Sequence, residues 1–190
     1  KSPGITEKID LIKKIRAANI KIISEIEFAS QYTNATLIGI TGSNGKTTTT
    51  LLTHHLLEQS GLNVGVAGNI GYSFARQVAE TNREVYVLEI SSFQLDDIYE
   101  FQPEVSVITN ITPDHLDRYE NNFSKYVRSK MRIIKNQSNK QFLVFNSEDP
   151  VLVKALNTST SEVNKISFGF EKPEKDGTYT SDDQIIIQHD

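Results

Sequence analysis

The sequence predicts an α/β protein: a mostly parallel sheet flanked by helices on both faces, with a small antiparallel edge or hairpin near the C-terminus. Three observations carry that prediction. From residue 35 onward, short apolar runs alternate with helical stretches. A glycine-rich turn, Gly42-Ser43-Asn44-Gly45, joins the first of those runs to the helix after it. Polar clusters recur just past the ends of several runs, where ligands sit in open α/β sheets.

In chain order, Ile9, Ile12 and Ile15 are spaced for one face of a helix over 5–18, and Ile20 to Ile23 is a short β-like run. Ser24-x-x-Glu27 is a capping-box pattern opening a short helix, a structural feature. Ala35 to Ile40 reads as a buried strand, followed by the glycine turn and a helix ending near Ser60-Gly61. Strands are expected at Asn63–Ala67, Glu84–Ile90, Val105–Ile111, Gln141–Phe145 and Val163–Phe170. Helices are expected at Ile70–Glu80, Phe93–Tyr99, Phe123–Lys135 and Asp149–Leu156, with a turn or helix opening at Thr112-Pro113. Gly177–Tyr179 and Gln184–Gln188 flank Asp182-Asp183 as a polar hairpin.

A chain of 190 residues holds one full core, with room for a small appendage. The net charge of −4 implies no general affinity for nucleic acid or an anionic membrane. No run approaches the length of a membrane span, and no signal peptide is visible. The absence of cysteine removes disulfides and thiolate sites and fits a reducing compartment, so a cytoplasmic location is expected. The chain opens on Lys1 and a linker-like Ser2-Pro3-Gly4, which suggests a piece of a longer protein.

The chemistry centres on Gly39-Ile40-Thr41-Gly42-Ser43-Asn44-Gly45-Lys46-Thr47-Thr48. Glycines at 42 and 45 let backbone N–H groups turn inward, and the helix that follows adds its positive end, an arrangement suited to a polyphosphate. Lys46 can bridge terminal phosphates, and the Thr47 hydroxyl can coordinate Mg2+. The strict phosphate-loop pattern wants glycine at position 40, where this chain has Ile40. Three further clusters, Gly68-Asn69-Ile70-Gly71, Glu89-Ile90-Ser91-Ser92 and Asn110 to His115, are expected at the same sheet edge. Glu89 ends an apolar strand, where a carboxylate is costly unless paired or bound to metal. Asn69 either bonds substrate or caps the helix expected near Ile70. Asp114 either serves the site or is favoured by a helix dipole. His115 either binds Mg2+ or an anion or does neither, and His54 and His55 read as structural or exposed.

Lys130 is the least expected residue. At ~100° per residue, Phe123, Val127 and Ile134 centre an apolar stripe edged by Tyr126, Met131 and Ile133. Lys130 lies within about 30° of its middle, while Lys125, Arg128 and Arg132 lie opposite. An inward lysine must snorkel, pair with a carboxylate, or lose its charge. A neutral amine can take up CO2 as a carbamate and then ligate metal.

Taken together, these residues resemble the central ATP-binding domain of the Mur ligases, which build the peptide stem of peptidoglycan. The resemblance runs through Ser-Pro-Gly-Ile at 2–5, Thr-Gly-Ser-Asn-Gly-Lys-Thr at 41–47, Gly-Asn-Ile-Gly at 68–71 and Leu-Glu-Ile-Ser-Ser-Phe-Gln-Leu at 88–95. It continues through Asp-His-Leu-Asp-Arg-Tyr at 114–119, Ser-Lys-Met-Arg-Ile at 129–133 and Val-Phe-Asn at 144–146. The family's own loop also lacks the extra glycine. Gly-Asn-Ile-Gly and Ser-Ser-Phe-Gln-Leu resemble the branch that adds D-glutamate to UDP-N-acetylmuramoyl-L-alanine. The resemblance implies an ATP-dependent amide ligase of peptidoglycan precursor synthesis, serving cell shape and division, and working through an acyl phosphate. Gly42, Ser43, Asn44, Gly45, Lys46, Thr47 and Thr48 would hold ATP. Thr47 and Glu89 would hold one Mg2+, and His115 with a carbamylated Lys130 a second. Lys46, Glu89, His115 and Lys130 would be catalytic, while Asn69, Ser91 and His115 would contact the muramoyl substrate.

The resemblance further implies a lead-in at 1–36 from an absent N-terminal UDP-binding domain. It implies an incomplete central domain at 37–190 and an absent C-terminal ligand domain. On that basis the piece alone is expected to be inactive, and the enzyme monomeric. Two alternatives remain: another ligase of the Mur or folylpolyglutamate type, and a phosphate-loop ATPase or switch that would leave Asn69, His115 and Lys130 without a role.

Overall fold

The computed structural model describes residues 1–189. Eight strands form one sheet in the order β2-β3-β1-β4-β5-β6-β7-β8. These are β1 (Thr36–Thr41), β2 (Val64–Gly68), β3 (Val85–Glu89), β4 (Val105–Ile108), β5 (Phe142–Asn146), β6 (Asn164–Phe168), β7 (Gly177–Ser181) and β8 (Gln184–Gln188). Every pairing is parallel except β7 with β8. The hairpin turn between those two uses Asp182 and Asp183, both at positive φ. Acidic and amide side chains tolerate that backbone region better than most. The predicted fold class, including its antiparallel edge, therefore holds.

Alternation along the strands explains the two faces. Leu37, Tyr86, Leu88, Ala67, Ile108 and Leu143 belong to a large core shared with helices α2 (Glu25–Ser30), α4 (Phe74–Glu80), α5 (Ser92–Asp96), α6 (Phe123–Met131) and α7 (Pro150–Asn157). Ile40, Val64, Val85 and Val87 face the other way with Ile38 and Val107, packed against Leu57 of α3 (Lys46–Gln59). Residues two apart share a face, so β1, β2, β3 and β4 each feed both cores. The remaining helix, α1 (Asp10–Ala17), lies in the lead-in and buries only Ile12. Arg16 ties it to the core through Asp97, which also pairs with Lys1.

Several expectations are corrected. Ile20 to Ile23 forms no strand; Ser24 instead bonds through its N–H to the Asp97 carbonyl, away from any sheet edge. The helix expected from Ile70 starts at Phe74, because Ser73 is its N-cap and residues 69–73 form a turn. The strand expected to reach Ile111 ends at Ile108, and the helix expected to reach Lys135 gives way to a 3-10 turn at Arg132–Ile134. Asp114 and His115 stand at no α-helix start: a 3-10 turn, Leu116–Tyr119, follows them, and His115 has φ 49°. Arg132 does not face solvent freely but donates to the carbonyls of Leu95 and Ile98 at 2.6 Å each.

The capping box at Ser24 is only half formed. The Ser24 hydroxyl accepts from the Glu27 N–H at 3.2 Å. The Glu27 carboxylate, fully buried, turns away and accepts from the N–H groups of Tyr99, Glu100 and Phe101 at 2.9–3.2 Å. It thereby satisfies a turn that the sheet cannot reach. Glu27→Ala strands those donors in the interior, and we expect a loss of roughly 3 kcal/mol or more, measured by urea unfolding. A loss below about 1 kcal/mol would show that water replaces the carboxylate.

Candidate active site

The parallel register sets the site. Ile40 on β1 pairs with Glu89 on β3, Gly68 on β2 pairs with the same Glu89, and Thr41 pairs with Ile108 on β4. The carboxyl ends of four adjacent strands are therefore level, and the four polar clusters leave the sheet side by side.

The glycine loop joins β1 to α3. Gly45 occupies the left-handed region at φ 79° and serves as N-cap, so α3 begins at Lys46. Gly42, at φ 151°, passes so close to Thr109 that a Cβ would lie 1.9 Å from its hydroxyl. Lys46 folds back across the loop, and its ammonium donates to the Ser43 carbonyl at 2.9 Å. Thr48 is exposed at the helix start.

Glu89 is 2 % exposed and accepts from the Thr47 hydroxyl at 2.6 Å on one oxygen and from the Asn69 amide at 2.8 Å on the other. The Asn69 backbone N–H also bonds the Glu89 carbonyl at 2.9 Å. Asn69 thus joins the strand ends and caps no helix. Gly68 makes this approach possible: its φ is +99°, and a Cβ there would lie 2.2 Å from the Glu89 carbonyl oxygen. Ser91 is the N-cap of α5, in a reciprocal capping box with Gln94.

Lys130 is 2 % exposed, and its ammonium donates to the Gly42 carbonyl at 2.7 Å, which rules out snorkelling. The ammonium lies 4.7 Å from the centre of the Tyr126 ring, one helical turn earlier. Burial, followed by the charge of Lys46, pushes its pKa down to about 7, with Asp114 acting in the opposite sense. His115 stands apart from this cluster. Its side chain is 58 % exposed, with Nε2 3.5 Å from the Asp114 carboxylate and its ring 5.5 Å from that of Phe93. His54 is half-buried and His55 exposed, as read from the sequence.

Sequence reasoning placed the Asn110 to His115 cluster at this edge but gave Asn110 and Thr112 no part in holding the loop, and it missed Thr109 and the loop contact of Tyr126. The Asn110 side chain accepts from the Asn44 N–H at 2.9 Å and donates to the Asn44 carbonyl at 3.0 Å. Thr109 donates to that same carbonyl at 2.7 Å. The Ser43 hydroxyl donates to the Thr112 carbonyl, accepts from the Thr112 N–H, and lies 3.0 Å from the Tyr126 hydroxyl. A Thr-Asn-Ile-Thr run directly after a strand was the available signal for the first three, and the four-residue spacing from Lys130 for Tyr126.

Oxygen donors at Glu89 and Thr47 beside two lysines suit a polyphosphate with a hard divalent cation. Among the described residues, no group of three or more His, Cys, Asp or Glu could hold a metal.

Residues 40–188 match the family described as the Mur ligase middle domain. The chain belongs to the Mur ligase family. This Mur ligase domain is 46 % identical over 187 residues to the UDP-N-acetylmuramoylalanine–D-glutamate ligase of Bacteroides fragilis. It is 48 % identical over 189 residues to the ligase of the same name from Cytophaga hutchinsonii. Each alignment takes in 98 % of this chain but only 42 % of the relative, so the chain spans less than half the length of these curated relatives. Among solved structures, the domain resembles the Neisseria UDP-N-acetylmuramate:L-alanyl-gamma-D-glutamyl-meso-diaminopimelate ligase, with TM-score 0.67 and 18 % identity over 97 % of this chain and 62 % of that one. It also resembles MurF ligase from Thermotoga maritima, with TM-score 0.62 and 24 % identity over 86 % and 40 % of the two chains.

The Lys130 amine generates a pH prediction. A lysine whose pKa is lower in the folded state is bound by one more proton in the unfolded chain between the two values. Stability therefore rises with pH from about 7 toward the ordinary lysine value of 10.5. Urea unfolding at pH 6.5 and pH 9 should show this rise, and Lys130→Met should flatten it. An equal slope in the variant would mean the amine keeps its proton.

Proposed function

We propose that this domain is the nucleotide-binding middle part of an ATP-dependent ligase that adds D-glutamate to UDP-N-acetylmuramoyl-L-alanine in peptidoglycan precursor synthesis. The observation that carries the reading is the Lys130 amine, buried on the Gly42 carbonyl of the phosphate loop. A switch or transport ATPase has no use for a second, buried lysine there, whereas a ligase must manage a second anionic substrate beside ATP. The substrate assignment rests on the name shared by relatives 44–48 % identical. ATP use is supported by the solved relatives MurF and FolC, each described as a complex with ADP.

In the proposed reaction, a substrate carboxylate oxygen attacks the γ-phosphorus of ATP, the bond to the β-phosphate oxygen breaks, and ADP leaves. The D-glutamate nitrogen then attacks the acyl carbon of the resulting acyl phosphate. The carbon–oxygen bond to phosphate breaks, the nitrogen loses a proton, and inorganic phosphate departs.

Residues 42–48 wrap the phosphates, with Gly42 and Gly45 supplying the curvature; the Ser43 and Asn44 N–H groups are held by Asn110, so the backbone donors are those at 45–48, where α3 begins. Lys46 leaves the Ser43 carbonyl for the β- and γ-phosphates. Thr47 and Glu89 would hold one Mg2+ and His115 with Lys130 a second. Mg2+ supplies charge neutralisation on the transferring phosphoryl group. Asn69 orients the Glu89 carboxylate and, with Ser91 and His115, faces the muramoyl substrate. For the second metal site, the neutral Lys130 amine adds to CO2: a nitrogen–carbon bond forms, a proton is lost, and the carbamate presents oxygen where an ammonium stood. His115, on a strained turn at the open side, closes on that site with substrate.

Residues 1–36 are the lead-in to this domain. The UDP group and D-glutamate are handled by other parts of the full-length protein, which acts as a cytoplasmic monomer.

The test is ligation by the full-length enzyme with MgATP, D-glutamate and UDP-N-acetylmuramoyl-L-alanine. Lys46→Ala should lower kcat/KM by about 10³-fold. Lys130→Ala should lose ligation and regain part of it with added short carboxylic acids, which replace the carbamate. Unimpaired ligation by Lys130→Ala would sink the carbamate role. ATP turnover that responds to a protein partner but not to the muramoyl substrate would sink the ligase reading. Residues 1–190 alone should add no D-glutamate.

A further inference from the structure

Resting on the nucleotide-site reading above, we propose that Asp149 is a positioning residue for the phosphate loop. It touches no loop residue itself. It is 8 % exposed and stands at the N-cap of α7. One carboxylate oxygen accepts from the N–H groups of Val151 and Leu152, both at 2.9 Å. The other accepts from the Ile111 N–H at 2.6 Å.

Ile111 sits between the residues that grip the loop. Asn110 before it holds both the N–H and the carbonyl of Asn44, and its own carbonyl accepts from the Ser43 N–H at 3.0 Å. Thr112 after it brackets the Ser43 hydroxyl from both sides. Among the described residues, the backbone of the segment between the end of β4 and the 3-10 turn at Leu116 is tied to its neighbours by two bonds, from the Thr109 N–H to the Thr41 carbonyl and from the Ser43 N–H to the Asn110 carbonyl. The rest of its positioning falls to side chains, including Ile111 itself, 1 % exposed in the main core. Asp149 supplies the fixed end: α7 is anchored by Leu152 and Leu156, 0 % and 3 % exposed, in the main core. Force on the loop passes through Asn110 and Thr112 to Ile111, then through one carboxylate to a buried helix.

A carboxylate suits this task where a neutral cap would not. Two oxygens in a fixed fork serve two sets of N–H donors from different elements. Serine caps a helix nearly as well as aspartate but offers one oxygen on a shorter arm. A role confined to capping α7 and a role in positioning the loop thus separate by substitution.

The experiment uses the full-length enzyme that contains this chain, with Asp149→Ser, Asp149→Asn and the Lys46→Ala control. We would measure MgATP binding by calorimetry, KM for ATP and kcat separately, and thermal unfolding. Asp149→Ser should weaken MgATP binding and raise KM for ATP by about tenfold, equivalent to ~1.4 kcal/mol, with little change in kcat and a moderately lowered thermal midpoint, because the buried Ile111 N–H loses its acceptor. Asp149→Asn, with one oxygen for two sets of donors, should fall between. Lowered thermal stability with unchanged ATP affinity in both variants would overturn the inference, leaving only a helix cap. That result leaves the nucleotide reading intact provided Lys46→Ala abolishes binding. If Lys46→Ala binds MgATP as well as the parent, the nucleotide reading itself fails and the inference with it. Should Asp149→Ser not fold, Asp149→Asn decides: a rise in KM for ATP of about threefold or more supports positioning, and an unchanged KM overturns it.

Discussion

The structure depends on the level parallel register of β2, β3, β1 and β4. Each of these strands feeds one face of the sheet with alternate residues, so the pairing cannot slip by one position without exchanging the two cores. A slip of β3 against β1 would carry Glu89 away from Gly68 and Ile40, its present neighbours in register. The Thr47 and Asn69 bonds to its carboxylate would then be lost together. Burial of Leu37, Tyr86 and Leu88 on one side and of Ile40, Val85 and Val87 on the other thus holds a polar site that contributes little to stability itself.

Charge is arranged around the loop with the same dependence on backbone. Two lysines approach it from opposite directions: Lys46 folds back from α3 to the Ser43 carbonyl, and Lys130 comes from α6 to the Gly42 carbonyl. Both nitrogens rest on loop carbonyls, which holds them beside the loop before any ligand arrives. The two are unequal. Burial and the neighbouring Lys46 charge lower the pKa of Lys130 into the neutral range. The proposed carbamate rests on that lowered pKa together with the burial of Lys130 on the loop.

Much of this was legible in residue order, because the signals are local. Gly42, Gly45, Lys46 and Thr47 lie within six positions, and the strand–turn–helix context around them follows from periodicity alone. Glu89 stood out as a carboxylate ending an apolar strand, and Lys130 as a cation on an apolar stripe. The errors were also local in kind. Ile20 to Ile23 has the composition of a strand but no partner edge, and β propensity without a partner forms no ladder. Glu27 matched the capping box, yet three unpaired N–H groups at 99–101 competed for its carboxylate and won. Arg132 fell on the charged side of α6 by helical arithmetic, but the end of α5 brings carbonyls within its reach.

By itself the sequence determined the fold class, the phosphate loop, the family resemblance and the unusual chemistry expected at Glu89 and Lys130. Each follows from residue type at short spacing, where backbone sterics and periodic burial dominate. Only the tertiary structure decided which way Lys130 resolves its burial, that Asn69 serves Glu89 rather than a helix end, and that Ile111 is tied to Asp149. Those outcomes join residues 20 to 88 positions apart. Their physical cause is competition among buried donors and acceptors for the nearest partner, and the nearest partner is known only after the sheet has brought its strand ends together.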